Sequence, residues 1–243
     1  MVWGDRRIQD ISIEAIERWK HQKLETCKPS SVNRYLQMLY NIFEKALEWG
    51  YIEHSPMHKV KFPTFKNQRE RFLTDHEEKL LLAALSDRYR KAVLIAMNAG
   101  LRESEVCYLA WGDVDFKVGE LTVRAELSKN KETQTVPMTA TVRRLLAELK
   151  PECSKPEGRV FGRLNPGWLR LVFHRAVQAA GLKDLRFHDL RHTFASRLIM
   201  KGADIRTVQE LMRHNTLAMT ARYTHLLDSH KRAAIEKLDE MAE

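Results

Sequence analysis

One tyrosine late in the chain, Tyr223, is accompanied by basic and imidazole side chains that could activate it. A tyrosine hydroxyl titrates at about pH 10, so at neutral pH it needs a base or a strongly cationic pocket to act as a nucleophile. Guanidinium groups donate paired hydrogen bonds that suit the charged oxygens of a phosphodiester under attack, and the departing oxygen needs a proton. The residues that fit these tasks are Arg102, Arg191, His188, His214 and Lys129. The residue types therefore predict phosphoryl transfer without a metal.

These residues stand in four segments of fixed order. The segments are Ala99-Gly100-Leu101-Arg102-Glu103-Ser104-Glu105, a polar turn around Lys129, His188-Asp189-Leu190-Arg191-His192, and Leu211-Met212-Arg213-His214, the last ending nine residues before Tyr223. Their order and intervals resemble the active site of the tyrosine recombinases, the phage integrase family, and the resemblance runs through most of the chain. It implies a site-specific DNA recombinase that cuts and rejoins double-stranded DNA through a 3'-phosphotyrosine intermediate, with no cofactor, metal or ATP.

The same resemblance divides the chemistry among the residues. Tyr223 would attack the scissile phosphate, and Lys129 would protonate the leaving 5'-oxygen. Lys129 is chosen over Lys131 because the family places its catalytic lysine in such a hairpin, upstream of a similar Val-Pro. His188 would assist proton transfer, and the charged transition state would be stabilised by Arg102, Arg191 and His214. Glu105 lies three residues after Arg102, so it shares a helix face and could hold that side chain in place.

Composition agrees with a nucleic-acid partner without proving one. The 243 residues carry 41 Lys and Arg against 32 Asp and Glu, a net charge of +9, which favours attraction to a polyanion. No long uncharged apolar run and no signal-like N-terminus occur, so we expect a cytoplasmic protein without a membrane partner. Two alternatives stay open at this point: a type IB topoisomerase-like nicking enzyme, and a catalytically silent DNA-binding or architectural protein.

Neither the cysteines nor the paired histidines predict a metal site. Cys27, Cys107 and Cys153 are odd in number and far apart, which indicates ordinary reduced thiols. His188 and His192 lie four residues apart and could share a helix face, but the motif lacks the glutamate of a zinc protease and no third ligand stands nearby. We therefore expect no metal.

Composition divides the chain into a helical DNA-clamp (core-binding) domain at residues 1–66 and a catalytic domain at residues 67–243. Apolar spacing predicts helices over residues 12–25 and 31–49, the second capped by Ser30 or Ser31 and ended by Gly50. The following stretch, residues 59–71, is basic, contains a proline and could follow a phosphate backbone. Its candidate DNA contacts are Lys59, Lys61, Lys66, Arg69 and Arg71.

The catalytic domain is predicted to be mainly α with a small antiparallel β-sheet. A capping box from Thr74 to Glu77 opens its first helix. Candidate strands cover residues 121–124 and 134–137, and further helices are expected near residues 88–99, 102–110, 139–149, 165–180, 188–201, 204–212 and 228–242.

The chain departs from the family pattern at two places. Arg213 stands where many members have glycine, which either adds a DNA phosphate contact or crowds the DNA. The N-terminus matches a point inside the family's core-binding domain, so we expect this domain to lack its first helices. The apolar stripe of residues 230–243 predicts an amphipathic helix, which many relatives dock on a neighbouring protomer. The resemblance thus implies a monomer that forms a tetramer on DNA.

Overall fold

A computed structural model of the chain describes residues 3–64, 71–127, 132–151 and 155–227, with side chains described as far as residue 224. The protein chain divides into two compact units, Met1–Arg69 and Glu70–Glu243. Among the helices of the described ranges, none combines the length and apolarity needed to cross a membrane.

The first unit is built on two helices, α1 at Ile13–Thr26 and α2 at Pro29–Glu48, with 3-10 turns at Ile8–Asp10 and Pro56–Lys59. Its buried core joins both helices to the second turn and consists of Ile16, Trp19, Val32, Leu36, Phe43, Met57 and Val60. The predicted cap of the second helix was wrong. Pro29 occupies the first turn, where its fixed φ is favourable, so the helix begins earlier than Ser30 or Ser31 would allow. Gly50 follows the helix at a φ of 74° and ends it as expected.

The second unit is mainly helical. Its helices are α3 at Asp75–Ala83, α4 at Asp87–Ala99, α5 at Glu103–Tyr108, α6 at Ala140–Leu149, α7 at Pro166–Ala179, α8 at His188–Met200, α9 at Ile205–Leu211 and α10 at Leu217–Thr220. Short 3-10 helices cover Trp111–Asp113 and Ala221–Leu227. The predicted capping box of Thr74 and Glu77 is present at the start of α3. The tetrapeptide α10 has too few residues to show a periodic pattern, so the sequence did not predict it.

A three-stranded antiparallel sheet lies within this unit, with strands β1 at Val114–Asp115, β2 at Glu120–Val123 and β3 at Gln134–Pro137 in that order. Leu121 pairs with Val136 across β2 and β3, and both side chains are buried in the core of the unit. The two-residue β1 was not predicted. The mainly helical architecture with a small antiparallel sheet is confirmed.

Helix α8 passes through the centre of the second unit, since most of its residues are buried. The hydroxyl of Thr193 accepts a hydrogen bond from the backbone N–H of Leu73 at 2.9 Å and donates one to the carbonyl of Asp189 at 2.8 Å. Leu190 packs into the main core, while Ala195 and Ile199 pack against α9 in a second cluster with Tyr223. The helix is therefore a rigid support for the polar residues on its remaining face.

Candidate active site

Arg102 and Glu105 meet just after α4 ends. Gly100 closes that helix in the left-handed region, with φ at 58°, and Arg102 forms the N-cap of α5. The carboxylate of Glu105 accepts hydrogen bonds from the Arg102 backbone N–H at 2.8 Å and from Arg102 Nη1 at 2.6 Å. Burial raises the pKa of Glu105, but the charges of nearby arginines and the backbone hydrogen bond outweigh it, so the pKa is lowered. Glu105 is thus an ionised anchor for Arg102.

Arg191 projects from α8 to the same place. Its side chain is almost completely buried, and Nη1 donates a hydrogen bond to the carbonyl of Gly100. Nη2 is also buried and, among the described residues, has no hydrogen-bond partner. Burial lowers the pKa of Arg191, and the charges of Arg213 and Arg102 lower it further. A buried guanidinium with an unused donor beside other cations is suited to bind an anion.

Arg213 occupies a different place from the one predicted. We expected it either to contact a DNA phosphate or to crowd the DNA, but its side chain is only 2% exposed. Arg213 Nη2 donates to Glu105 Oε2 at 2.7 Å and to the Gly100 carbonyl at 3.1 Å. Arg213 has a left-handed backbone, with φ at 51°, and its guanidinium is paired with the buried carboxylate of Glu105, so it does not lie on the surface.

His214 follows directly after this turn and is half-buried. Its Nδ1 lies 2.9 Å from the hydroxyl of Thr220, which links the turn after α9 to the helix that leads to Tyr223. Burial lowers the pKa of His214 to about 3, with further lowering by Arg191, Arg102 and Arg222. Its imidazole is therefore neutral at physiological pH and can donate a hydrogen bond from one ring nitrogen.

Tyr223 lies in the 3-10 helix Ala221–Leu227 and is only 3% exposed. Its hydroxyl is 2.5 Å from Nδ1 of His192, a residue that sequence reasoning had not assigned to catalysis. Burial raises the pKa of Tyr223 to about 12, although Arg222 and Arg191 act in the opposite direction. Burial also lowers the pKa of His192 to about 4, with a further contribution from His188. A neutral imidazole thus faces a protonated phenol.

His188 and His192 contact each other rather than a common ligand. Their ring centroids are 4.9 Å apart and the rings are perpendicular, at 89°. His188 keeps part of its ring exposed at the start of α8. Within the described part of the chain, no group of three or more His, Cys, Asp and Glu side chains could hold a metal ion.

Of the remaining predicted site residues, three lie in the part of the chain that the structure describes and three lie outside it. Lys59 and Lys61 are exposed. Arg71 forms an ion pair with Glu77 at 2.6 Å, so its guanidinium supports the cap of α3. Lys129, Lys66 and Arg69 lie outside the described residues.

The chain is similar in sequence to known proteins. The model of the phage integrase family matches residues 71–230. A tyrosine recombinase of Thermosipho africanus is 31% identical over 223 residues, which cover 88% of this chain and 78% of the relative. Another, from Pseudothermotoga lettingae, is 29% identical over 248 residues, covering 98% of this chain and 86% of the relative.

Solved structures share the fold at lower identity. Tn1549 transposon integrase in complex with circular intermediate DNA matches with a TM-score of 0.77 and 19% identity, over 95% of this chain and 86% of that one. A lambda integrase dimer bound to a core site matches with a TM-score of 0.76 and 23% identity, over 90% of this chain and 81% of that one.

With two buried arginines, three imidazoles and a tyrosine on this fold, the chain belongs to the phage integrase family. It is a tyrosine recombinase, an enzyme of site-specific DNA recombination.

Proposed function

We propose that Tyr223 Oη attacks the scissile phosphate of double-stranded DNA and forms a 3'-phosphotyrosine with release of a 5'-hydroxyl. Lys129 protonates the leaving 5'-oxygen, and His188 assists proton transfer. The negative charge that develops on the nonbridging oxygens is stabilised by Arg102, Arg191 and His214. The phosphotyrosine keeps the energy of the phosphodiester, so another strand's 5'-hydroxyl can reseal the DNA without ATP.

The observation that carries this proposal is the convergence of the arginines on one carboxylate and one carbonyl close to Tyr223. Arg102 and Arg213 both contact Glu105, and Arg191 and Arg213 both contact the Gly100 carbonyl. Arg191 is close enough to Tyr223 for its charge to oppose the rise in the tyrosine pKa. Three guanidinium groups against one carboxylate leave an excess of positive charge, which an attacked phosphate would neutralise.

Two features support a grip on the DNA backbone outside this cluster. Lys59 and Lys61 are exposed beside the end of the first unit, and exposed cations of this kind bind phosphates without reading the bases. We extend the proposed contacts to Lys66, Arg69 and Arg71, the last after release from Glu77. The division of the chain into two compact units supports a DNA-clamp domain at residues 1–66 and a catalytic domain at residues 67–243.

We propose that the protein acts in the cytoplasm and is a monomer that assembles into a tetramer on DNA. The support for assembly comes from a relative: lambda integrase has been crystallised as a tetramer bound to a Holliday junction. The relatives are recombinases, and they do not favour the topoisomerase-like or the silent DNA-binding alternative.

Removal of the Tyr223 hydroxyl tests whether this residue is the nucleophile. Tyr223→Phe should abolish covalent attachment to a nicked suicide duplex, since removal of a catalytic nucleophile typically costs on the order of 10⁶-fold. Noncovalent DNA affinity should change less than about twofold, because the aromatic ring and all cations remain. Attachment is measured on denaturing gels and affinity by fluorescence anisotropy.

Tyr108→Phe is the matched control, since it also removes one phenolic hydroxyl from the second unit. It should retain wild-type attachment. Attachment by the Tyr223→Phe variant at the wild-type rate would overturn the proposal.

A further inference from the structure

The hydroxyl of Tyr223 forms a hydrogen bond with the side chain of His192. The Tyr223 hydroxyl and His192 Nδ1 are 2.5 Å apart, and both side chains are buried, at 3% and 6% exposure. The two ring centroids lie 5.8 Å apart. A buried tyrosine hydroxyl needs a hydrogen-bond partner, and in the tautomer that carries its proton on Nε2, Nδ1 accepts a hydrogen bond from the phenolic O–H.

The position of His192 is determined by the helix that carries it. Its neighbours on α8 tie that helix to the core on both sides, Arg191 through the Gly100 carbonyl and Thr193 through the N–H of Leu73. The ring itself packs edge-on against His188, with centroids 4.9 Å apart. Because the support is rigid, the imidazole is held in place before DNA binds, as an efficient proton acceptor requires.

We propose that His192 Nδ1 is the general base that takes the phenolic proton from Tyr223 during attack. This inference rests on the proposed role of Tyr223 as nucleophile. As the bond from Oη to phosphorus forms, the O–H bond of Tyr223 breaks and its proton moves to Nδ1. The bond from phosphorus to the 5'-oxygen breaks, and that oxygen takes a proton from the general acid. In resealing, the imidazolium returns its proton to the departing Tyr223 oxygen.

The acid-base properties of the two groups suit such a transfer. Burial raises the pKa of Tyr223 to about 12, so the phenol remains protonated until attack. Burial and the neighbouring His188 lower the pKa of His192 to about 4, so its ring is neutral and can accept the proton. The transfer becomes favourable as attack proceeds, because an oxygen bonded to phosphorus has lost its basicity. The negative phosphate also stabilises the imidazolium that forms.

Other ionisable groups around His192 do not create a competing pH dependence near neutrality. The groups that influence it are His188, Asp189 and Arg191 on α8, Arg222 and Tyr223 on the 3-10 helix, and His214 in the turn after α9. Partial burial and the charge of Arg191 lower the pKa of His188 from its ordinary value, and burial lowers the pKa of His214 to about 3.

The test replaces the base while keeping the contact. In His192→Asn, the side-chain amide occupies nearly the position of Nδ1 and can hydrogen-bond to Tyr223, but it cannot accept a proton. Single-turnover attachment is measured from pH 6 to pH 9 on a duplex whose 5'-bridging oxygen is sulfur. This leaving group needs no proton, so titration of the general acid does not affect the rate. His174→Asn, at an exposed position of α7, is the matched control.

Wild type and His174→Asn should attach at rates that do not change with pH in this range. His192→Asn should be slower by roughly 10²-fold at pH 7, the typical contribution of a general base. Its rate should rise about tenfold per pH unit, because attack then requires the ionised phenol. Incomplete folding of the variant would lower the amplitude of attachment and leave this slope unchanged, since rate constants are taken from normalised time courses.

A flat pH profile for His192→Asn would overturn the inference and leave Tyr223 as the nucleophile. Attachment faster than that of wild type would also overturn it, since His192 would then restrain Tyr223 rather than activate it. Peptide mapping separates these results from failure of the proposed function: a covalent adduct on a residue other than Tyr223 would overturn both.

Discussion

Arg213 combines an unfavourable backbone with a favourable side-chain contact. Its φ of 51° lies in the region that favours glycine, and a residue with a Cβ loses about 1 kcal/mol there. The guanidinium is paired with Glu105 at 2.7 Å, and both side chains are almost inaccessible to solvent. Breaking such a buried pair by removing one partner typically costs about 3–5 kcal/mol. Removal of the Arg213 side chain therefore costs more, by leaving Glu105 buried without this partner, than the backbone strain at Arg213.

This balance predicts the stabilities of two variants. Arg213→Ala loses the pair and keeps the strained backbone, whereas Arg213→Gly loses the pair and relieves the strain. Both should unfold at lower urea concentration than wild type, and the glycine variant should be more stable than the alanine variant by about 1 kcal/mol. Urea titration followed by circular dichroism measures the difference. A glycine variant as stable as wild type would show that the ion pair contributes no more to the fold than the backbone strain costs.

At the scale of single residues, the sequence could identify the chemistry but not every contact. Arg102 and Glu105 are three residues apart, so a contact between them was predictable, although Arg102 makes it as the N-cap of α5 rather than from a shared helix face. The pairing of Arg213 with Glu105 spans 108 residues, and an arginine beside a basic segment is normally interpreted as a surface residue. His192 follows Arg191 directly, yet its contact with Tyr223 depends on how the 3-10 helix packs on α8.

The start of α3 is stabilised by more than its capping box. Glu77 accepts a hydrogen bond from the backbone N–H of Thr74 at 3.0 Å, and two guanidinium nitrogens of Arg71 donate to its carboxylate at 2.6 Å and 2.9 Å. The hydrogen bond from Arg71 is the main reason that the pKa of Glu77 is lowered to about 2, against the opposing effect of burial. The cap is therefore coupled to the segment that precedes it.

This coupling predicts a dependence of stability on pH. The pKa of Glu77 is lower in the folded chain than its ordinary value of 4.5. The ionised carboxylate therefore contributes fully to the free energy of unfolding above pH 4.5, and this contribution is lost as the pH falls toward 2. The contribution is at most about 3 kcal/mol. The difference in the free energy of unfolding between wild type and Glu77→Gln should be largest at pH 7 and should shrink between pH 4.5 and pH 2.

Glu157→Gln provides the comparison, because this carboxylate is exposed. Its free energy of unfolding should follow that of wild type at every pH. A Glu77→Gln difference that stayed constant between pH 7 and pH 3 would contradict the assigned coupling.

At the scale of elements, local sequence determined the helices with strong caps and long apolar patterns. The start of α3 was predictable because both partners of its capping box lie within four residues. The start of α2 was wrongly predicted because a proline at the first helical position competed with two serines as the signal. Helix α10 and strand β1, with four and two residues, are held by tertiary contacts and carry too little local pattern to be predicted.

For the whole molecule, the chain divides into two compact units between Arg69 and Glu70, and the domain boundary at residue 66 stays a prediction. The amphipathic pattern of residues 230–243 lies outside the described residues, so its docking stays a prediction. A helix of about 14 residues is marginal alone and needs an apolar surface to pack on. If that surface belongs to a second protomer, the tail couples assembly to the placement of Tyr223.

Ending the chain after Ser229 tests this coupling. The shortened protein should bind a DNA site as a monomer, with an affinity within about threefold of wild type because no residue of the cationic cluster is lost. Its tetramer on DNA should be reduced at least about tenfold in abundance, since one interhelix contact per protomer is removed. Analytical ultracentrifugation with the DNA site measures both. Equal tetramer formation by both proteins would exclude docking of this tail on a neighbour.

The oxygen shared by Arg191 and Arg213 belongs to the main chain of Gly100. It lies at the C-terminal end of α4, where the helix macrodipole is negative. No codon change can delete a backbone carbonyl, and a Cβ added at Gly100 would lie 2.6 Å from the ring of Phe194. A mutational scan would therefore identify Gly100 as a position sensitive to packing. It would not detect that the Gly100 carbonyl accepts hydrogen bonds from two arginines. Chemical replacement of the amide between Gly100 and Leu101 by an ester would weaken this acceptor and keep every side chain, while also removing the Leu101 N–H that donates to the Ala96 carbonyl at 3.0 Å.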